Sequence, residues 1–263
     1  MKREREPLRW REVAQAVRQQ HIGHSVVYRA EVDSTMAVCH ALARAGTEPG
    51  VVAIADAQSA GRGRQGRAWQ APPYTCLLFS VLLRPTSARD RWPHVLWPLA
   101  LALQEATRHV TGLQAAIKWP NDLVLGGKKL GGLLAEMTAD SVIVGAGLNV
   151  NFPAAALALD QPLTTLADAL GRHASREELL IASLRSFECW YGRWLEAPDA
   201  VWQAWRAGSS LLGKVVDVSL GGEVYSGVAE DLDRDGLLCL RTTDGRLQRF
   251  AAGDASIRLS RLE

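Results

Sequence analysis

The sequence predicts an α/β domain followed by a small all-β barrel. Strand-like and helix-like segments alternate over most of the chain, whereas short β-branched runs follow one another after Ser210. The dipeptides GG, DG and DG separate those runs and are typical turn signals. A length of 263 residues accommodates one large and one small domain. We therefore predict a helical N-terminal segment over 1–24, a large domain over 25–210 and a barrel over 211–263.

The first part of the large domain is predicted from apolar runs and one capping signal. In the segment before it, Leu8, Val13 and Val17 recur at near-helical spacing. Asp33-Ser34-Thr35 is a capping signal for a helix whose apolar stripe runs from Met36 to Ala43. The strands predicted here are Ser25–Val32, Val51–Ala55 and Thr75–Leu83.

The second part of the large domain is predicted to contain two long helices and a hairpin. Asp90 and Pro93 are expected to open a helix over Trp92–Val110. The sequence Ser175-Arg-Glu-Glu178 is a capping box and predicts a helix over Ser175–Leu195. The remaining elements are short strands over Ala115–Lys118 and Leu123–Leu125, a hairpin of Leu130–Met137 with Ser141–Val150, and a short helix over Thr165–Leu170.

Composition and charge exclude several classes of protein. Thirty basic and 28 acidic side chains give a net charge of +2, which does not indicate a strongly basic nucleic-acid-binding face. The cysteines Cys39, Cys76, Cys189 and Cys239 form no CxxC pair, so we expect reduced thiols and no protein-bound metal. No apolar run approaches the roughly 20 residues of a membrane span, and the charged N-terminus has no secretory signal pattern. We expect a cytoplasmic protein that does not bind membranes.

The segment Gly61-Arg-Gly-Arg-Gln-Gly-Arg67 is the strongest candidate for an anion site. Glycine lets the backbone approach a ligand closely, and each arginine presents a planar donor fork to phosphate or carboxylate. The segment matches neither a Walker A loop nor a GxGxxG loop between a strand and a helix. An RG-type contact with nucleic acid is the alternative, and the position of the loop between two strands disfavours it.

Two further segments carry polar residues at predicted strand ends. Lys118-Trp-Pro-Asn-Asp122 contains a rigid turn, and a turn alone explains the Pro-Asn-Asp part but not the Lys-Trp before it. Lys129 follows shortly afterwards and could stabilise charge at a phosphoryl or acyl-phosphate centre. Gly145-Ala-Gly-Leu-Asn149 ends a strand with small residues that admit a flat ligand. Together with the arginine-rich loop, these segments describe an adenylate-forming pocket.

Four segments of the sequence resemble the signature segments of biotin protein ligases, in the same order and at similar spacing. They are GRGRQGRAW, KWPNDL, KKLGGLL and GAGLNV. The resemblance covers roughly residues 25–260. It implies an α/β (α+β) catalytic domain with a mixed β-sheet flanked by helices, followed by an SH3-like barrel. It also implies that ATP with Mg²⁺ activates biotin as biotinyl-5′-AMP, and that a lysine of a biotin carboxyl carrier protein then takes the biotinyl group.

The resemblance also implies roles for individual residues of this sequence. Lys129, Arg64 and Asp122 are the expected catalytic residues, and Asp122 is also a candidate to orient the incoming lysine. The residues expected to bind biotin are Ser34, Thr35, Met36, Gln58, Gly61, Arg62, Gly63, Arg64, Trp69, Lys129, Gly131 and Gly132. Those expected to bind ATP or AMP are Arg64, Arg67, Asn121, Asp122, Lys129 and Asn149.

Two departures from the family pattern qualify these expectations. Met36 stands where many members have asparagine, so one contact to the biotin ring is expected to be missing or apolar. Only about 24 residues precede the first predicted strand, too few for the winged helix-turn-helix of the bifunctional members, so we expect no specific DNA binding and no repressor activity.

The expected acceptor is the carrier protein of acetyl-CoA carboxylase or of another biotin-dependent carboxylase, and the expected state is a monomer or weak homodimer. A lipoate or octanoate ligase or transferase of the same fold, and a non-catalytic biotin-binding module, are the alternatives.

Overall fold

A computed structural model describes residues 6–157 and 161–257 and places them in two sheets with helices around the first. The first sheet is mixed: β1 and β2 are parallel, and its other neighbouring strands are antiparallel. Its strand order is β1-β2-β3-β7-β6-β5-β4. The strands are β1 Val26–Val32, β2 Val52–Gln58, β3 Leu77–Leu83, β4 Ala116–Lys118, β5 Asp122–Leu125, β6 Lys128–Met137 and β7 Val142–Leu148.

Helices cover both faces of the first sheet and complete an apolar core. The helix α2 packs its buried Met36 and Cys39 against Ala53, Leu82 and Ile143 on one face. The other helices pack on the opposite face, where they form the larger core together with the sheet. The helices are α1 Trp10–Val17, α2 Thr35–Arg44, α3 Leu96–Thr111, α4 Leu166–Leu170, α5 Arg176–Glu196 and α6 Pro198–Ala207. None of the helices in the described ranges combines the length and the apolar character that crossing a bilayer requires.

The two predicted helix caps are confirmed. The Ser34 hydroxyl accepts a hydrogen bond from the Met36 N–H at 3.2 Å, and the Ser175 hydroxyl accepts one from the Glu178 N–H at 3.1 Å. The predicted helical segment over Trp92–Val110 is confirmed: Arg89–Val95 is a 3₁₀ helix, and the α-helix follows from Leu96. Pro98 explains why the α-helix starts only at Leu96, since a proline is tolerated in the first turn of an α-helix but breaks its interior.

The N-terminal segment is fastened to the large domain by a buried ion pair. Asp56 on β2 is fully buried, and its Oδ1 lies 2.6 Å from Nη1 of Arg176 on α5. The Leu8 N–H and the Tyr28 hydroxyl donate to the same carboxylate, and Arg176 also donates to the Glu6 carbonyl oxygen. Burial and the Asp56 carboxylate raise the pKa of Tyr28. Within the described part of the N-terminal segment, only Trp10–Val17 is α-helix.

The second sheet has five antiparallel strands in the order β11-β10-β9-β8-β12. The three predicted turns carry glycines in the left-handed region: Gly222 has a φ of 88°, Gly236 of 77° and Gly245 of 83°. The predicted all-β character of this part of the chain is confirmed. The strands are β8 Val215–Leu220, β9 Glu223–Leu232, β10 Leu238–Thr242, β11 Leu247–Phe250 and β12 Asp254–Ile257.

Indole groups fasten the second sheet to the large domain. Trp119 Nε1 donates to the Gly236 carbonyl oxygen at 2.9 Å, and Trp202 Nε1 donates to that of Leu232 at 3.0 Å. Trp97 stacks on Trp205 with ring centroids 5.0 Å apart, beneath the turn that contains Gly236. These contacts hold the second sheet against the large domain. Where the large domain ends and the barrel begins stays a prediction.

Candidate active site

A cavity of about 620 Å³ lies between the first sheet and the beginning of β12. Its walls come from the start of α2, the arginine-rich loop after β2, the β4–β5 turn, the segment before α4, and the strands β3, β6, β7, β8 and β12. Among the predicted site residues, those that line it are Ser34, Thr35, Met36, Gln58, Arg62, Gly63, Arg64, Arg67, Trp69, Asn121, Asp122, Lys129, Gly132 and Asn149. Segments far apart in sequence therefore meet at one cavity.

A hydrogen-bonded group of side chains forms one end of the cavity. The Thr35 N–H and hydroxyl both donate to Gln58 Oε1, at 2.8 and 3.1 Å. The Thr35 hydroxyl also lies 2.7 Å from the hydroxyl of Ser80 on β3. Thr35 and Ser80 are both buried, and Met36 adds a thioether beside them. This end can exchange hydrogen bonds with a small polar group while it encloses an apolar one.

The three arginines of the loop contact three different partners. Arg64 Nη1 lies 3.4 Å from Asn121 Oδ1, and burial lowers the pKa of the Arg64 guanidinium. Arg67 pairs with Asp254 at the start of β12, and its hydrogen bond holds the pKa of that carboxyl below the ordinary value. Arg62 Nη1 lies 3.5 Å from Oε1 of Glu136, on β6. The guanidinium group of Arg64 is therefore directed toward the β4–β5 turn, and that of Arg67 toward the second sheet.

A lysine–aspartate pair lies in the cavity wall. Lys129 Nζ is 2.9 Å from Asp122 Oδ1, and the two side chains are 21% and 15% exposed. The ammonium is also 5.9 Å from the ring centre of Trp69. The backbone of Lys129 is held by Pro162 and Thr164, whose chain runs alongside it. The ammonium is thus a positioned, partly desolvated positive charge at the cavity wall.

The indole ring of Trp69 lies close to Gly132 of β6 and Gly147 of β7. A methyl group added to Gly147 would approach Trp69 Cε2 to 2.5 Å, and one added to Gly132 would approach Cζ3 to 3.2 Å. The indole N–H is buried and has no hydrogen-bond partner among the described residues. Gly131 lies outside the cavity wall, and its missing side chain instead allows β6 to approach the Gly147 carbonyl oxygen. Gly61 lines a neighbouring groove.

The two predicted asparagines hold backbone segments at the cavity. Asn121 Nδ2 donates to the Leu133 carbonyl oxygen at 2.5 Å, while its Oδ1 faces Arg64. Asn149 is buried, and its Nδ2 donates to the carbonyl oxygen of Thr164 at 3.2 Å. Each side chain connects the end of one strand to a neighbouring segment, so both contribute to the shape of the cavity.

Ser80 and Asp254 are among the cavity residues that were not singled out from the sequence. Ser80 is the one polar residue of the strand LLFSVLL, and a polar residue in an otherwise apolar buried strand is a recognisable signal. Asp254 belongs to the second sheet and lies 187 positions after Arg67. No local pattern connects those two residues, since their contact depends on how the second sheet packs against the first.

The chain matches two family models. Residues 28–152 match the biotin/lipoate A/B protein ligase family, and residues 211–258 match the biotin protein ligase C-terminal domain. The fold is therefore that of the biotin/lipoate protein ligase class.

Comparison with individual proteins shows which family within this class the chain belongs to. The biotin–[acetyl-CoA-carboxylase] ligase of Mycobacterium tuberculosis is 35% identical over 231 residues, which cover 86% of each chain. The structure of the Aquifex aeolicus biotin protein ligase with biotin and ATP has a TM-score of 0.75 at 29% identity and covers 90% of this chain and 99% of that one. The Leishmania major biotin protein ligase with biotinyl-5-AMP has a TM-score of 0.62 at 25% identity and covers 87% and 99%. The chain belongs to the biotin protein ligase family.

Proposed function

We propose that this protein joins biotin to a carrier protein in two steps within one cavity. Oxygen of the biotin carboxylate attacks the α-phosphorus of ATP, pyrophosphate leaves, and biotinyl-5′-AMP forms. The amine of a carrier lysine then attacks the acyl carbon, and AMP leaves as the biotinyl amide forms. The observation that carries the proposal is the partly desolvated Lys129–Asp122 pair in a cavity that also contains Arg64 and Arg67.

The charge distribution of the cavity supports the first step. A carboxylate and a triphosphate repel each other, so positioned cations are needed to bring the reacting atoms together. Lys129 lines the same cavity as Thr35, Gln58 and the two arginines, and we propose that it contacts both the biotin carboxylate and the α-phosphate. Arg64 and Arg67 would hold phosphate oxygens, with Asn121 and Asn149 on the nucleotide side.

The other end of the cavity suits biotin. Biotin has an apolar body, a ureido group that exchanges hydrogen bonds, and one carboxylate. Ser34, Thr35 and Gln58 would contact the ring system, and Trp69 would cover the ligand. An acyl-adenylate is easily hydrolysed, so a loop that closes over it protects it from water. The glycines at 61, 63 and 66 give that loop the required freedom.

Magnesium is proposed to enter with ATP, bound to its phosphates. The carboxylates that line the cavity within the described ranges are Asp122 and Asp254, and each is paired with a cation. We propose that Asp122 accepts a hydrogen bond from the incoming lysine after the adenylate has formed. The acceptor is proposed to be the biotin carboxyl carrier protein of a biotin-dependent carboxylase.

Release of pyrophosphate in the presence of biotin and ATP tests the proposal. We expect release that requires both compounds and that octanoate or lipoate does not support at equal concentration. Faster release with octanoate or lipoate would identify a ligase for those acids instead. Binding of biotin without any pyrophosphate release would identify a non-catalytic binding module.

A further inference from the structure

Glu136 carries a carboxylate that lies beside the cavity, next to the arginine-rich loop. It belongs to β6 and points to the same face as Gly132 and Leu134, which line the cavity, because side chains two positions apart on a strand share a face. Two residues of a strand span about 6.6 Å, so Glu136 is the next side chain along this face. Its side chain is 27% exposed. A partly buried acidic group therefore borders the cavity.

His40 and Arg62 meet the two oxygens of this carboxylate. Nε2 of His40 lies 2.5 Å from Oε2 of Glu136, and Nη1 of Arg62 lies 3.5 Å from Oε1. An ionised carboxylate only accepts hydrogen bonds, so Nε2 of His40 carries a proton and donates it. His40 lies one turn after Met36 on the same side of α2, and Met36 lines the cavity. The helix thus holds one oxygen of Glu136, and the other oxygen faces Arg62.

Arg62 connects this carboxylate to both ends of the arginine-rich loop. Its backbone forms an isolated β-bridge with Ala68, and the Trp69 N–H donates to the Gly61 carbonyl oxygen at 2.9 Å. The proposed mechanism assigns phosphate contacts to the other two arginines of the loop and none to Arg62. The ion pair with Glu136 gives the Arg62 side chain a different part, because an anchor at this position holds the outgoing and the returning segment together.

We propose that Glu136, held by His40, is a positioning residue that keeps the arginine-rich loop over the cavity through Arg62. The inference rests on the proposed function, since this loop is the segment that would cover the adenylate. Glu136 contacts no reactant and acts by lowering the fraction of molecules in which the loop is open. A loop that opens less often releases the adenylate more slowly and admits less water to it.

The rate at which trypsin cuts the free protein after Arg64 and Arg67 tests the anchor without any ligand. When the loop opens and closes faster than trypsin cuts, this rate follows the population of open loops. A partly exposed ion pair changes such a population by a factor of about five, so cleavage of Glu136→Gln should be about fivefold faster. Arg62→Met should be cut faster by a similar factor. The double variant should be cut no faster than either single variant, because the two residues act as one pair.

Glu230→Gln is the matched control. Glu230 pairs with Arg241 at 2.8 Å on the second sheet, and both side chains are partly exposed. The control therefore breaks an ion pair of the same kind away from the loop, and its cleavage rate should equal that of the wild type. His40→Ala should also speed cleavage, and this effect should disappear in the Arg62→Met background.

Release of biotinyl-5′-AMP from the protein connects the anchor to the proposed function. We expect release about fivefold faster from Glu136→Gln than from the wild type, and an unchanged rate from Glu230→Gln. Unchanged release from Glu136→Gln would overturn the inference, because the anchor would then have no part in retaining the adenylate.

The cleavage rates separate this inference from the proposed function. Cleavage of Glu136→Gln at the wild-type rate would overturn the inference. Effects of Glu136→Gln and Arg62→Met that multiply in the double variant would also overturn it, because Glu136 would then act independently of Arg62. A wild type that forms no adenylate would overturn the proposed function, whereas the cleavage rates of the free protein would still decide whether Glu136 anchors the loop.

Discussion

Lys129→Ala is expected to preserve the fold and to slow the formation of biotinyl-5′-AMP by a factor of about 10²–10³. That factor corresponds to about 2.7–4 kcal/mol, the usual cost of removing one positioned stabiliser of transition-state charge. The Lys129 side chain is only 21% exposed, and its ammonium lies 2.9 Å from Asp122 Oδ1. Its removal takes away a cation and also leaves the Asp122 carboxylate unpaired beside two anionic reactants. Both effects slow the reaction.

Single-turnover release of pyrophosphate at saturating biotin and ATP measures this step. Lys128→Ala is the matched control, because Lys128 is the adjacent lysine and its side chain is exposed. We expect the control to react like the wild type. A Lys129→Ala variant that is folded and releases pyrophosphate within a few-fold of the wild-type rate would refute the reasoning, because the ammonium would then have no part in stabilising the reacting phosphate.

Three further predictions concern the cavity wall, the loop and the core. Gly147→Ala should weaken biotin binding at least tenfold, since the new methyl group would displace the ring of Trp69. Calorimetry measures this affinity, and an unchanged value would show that Trp69 does not cover biotin. Trypsin should cut the Gln58–Arg67 loop in the free protein and cut it more slowly with biotin and ATP, because bound anions order its arginines; equal cleavage would contradict this. Arg176→Met should lower the free energy of unfolding by about 3–5 kcal/mol, because the buried Asp56 loses its partner; a change below about 1 kcal/mol would show that the pair contributes little.

Local features of the fold were predictable from the sequence because local chemistry determines them. The Ser34 and Ser175 caps, the β6–β7 hairpin and the glycine turns of the second sheet each depend on a few neighbouring residues. The helical segment over Trp92–Val110 was predicted as well, but the pattern of apolar residues did not show that its first part is 3₁₀ and that the α-helix starts only near Pro98.

The candidate site was predictable as a set of segments but not as a geometry. Motif residues such as Arg64, Asn121 and Lys129 do line one cavity. The ion pair of Arg67 with Asp254 could not be predicted, because it depends on how the second sheet packs against the first. Gly131 was predicted as a site residue because it belongs to a motif, but its lack of a side chain serves strand pairing instead. Whether these residues bind biotin and ATP as the family resemblance implies stays a prediction.

The mass of a biotin carboxyl carrier domain, incubated with this protein, biotin and ATP, tests the central claim most directly. We predict that the domain gains one biotinyl group, that the gain disappears when biotin or ATP is omitted, and that replacing the acceptor lysine of the domain by arginine abolishes it. A carrier domain of unchanged mass, under conditions in which a known biotin protein ligase modifies it fully, would contradict the account.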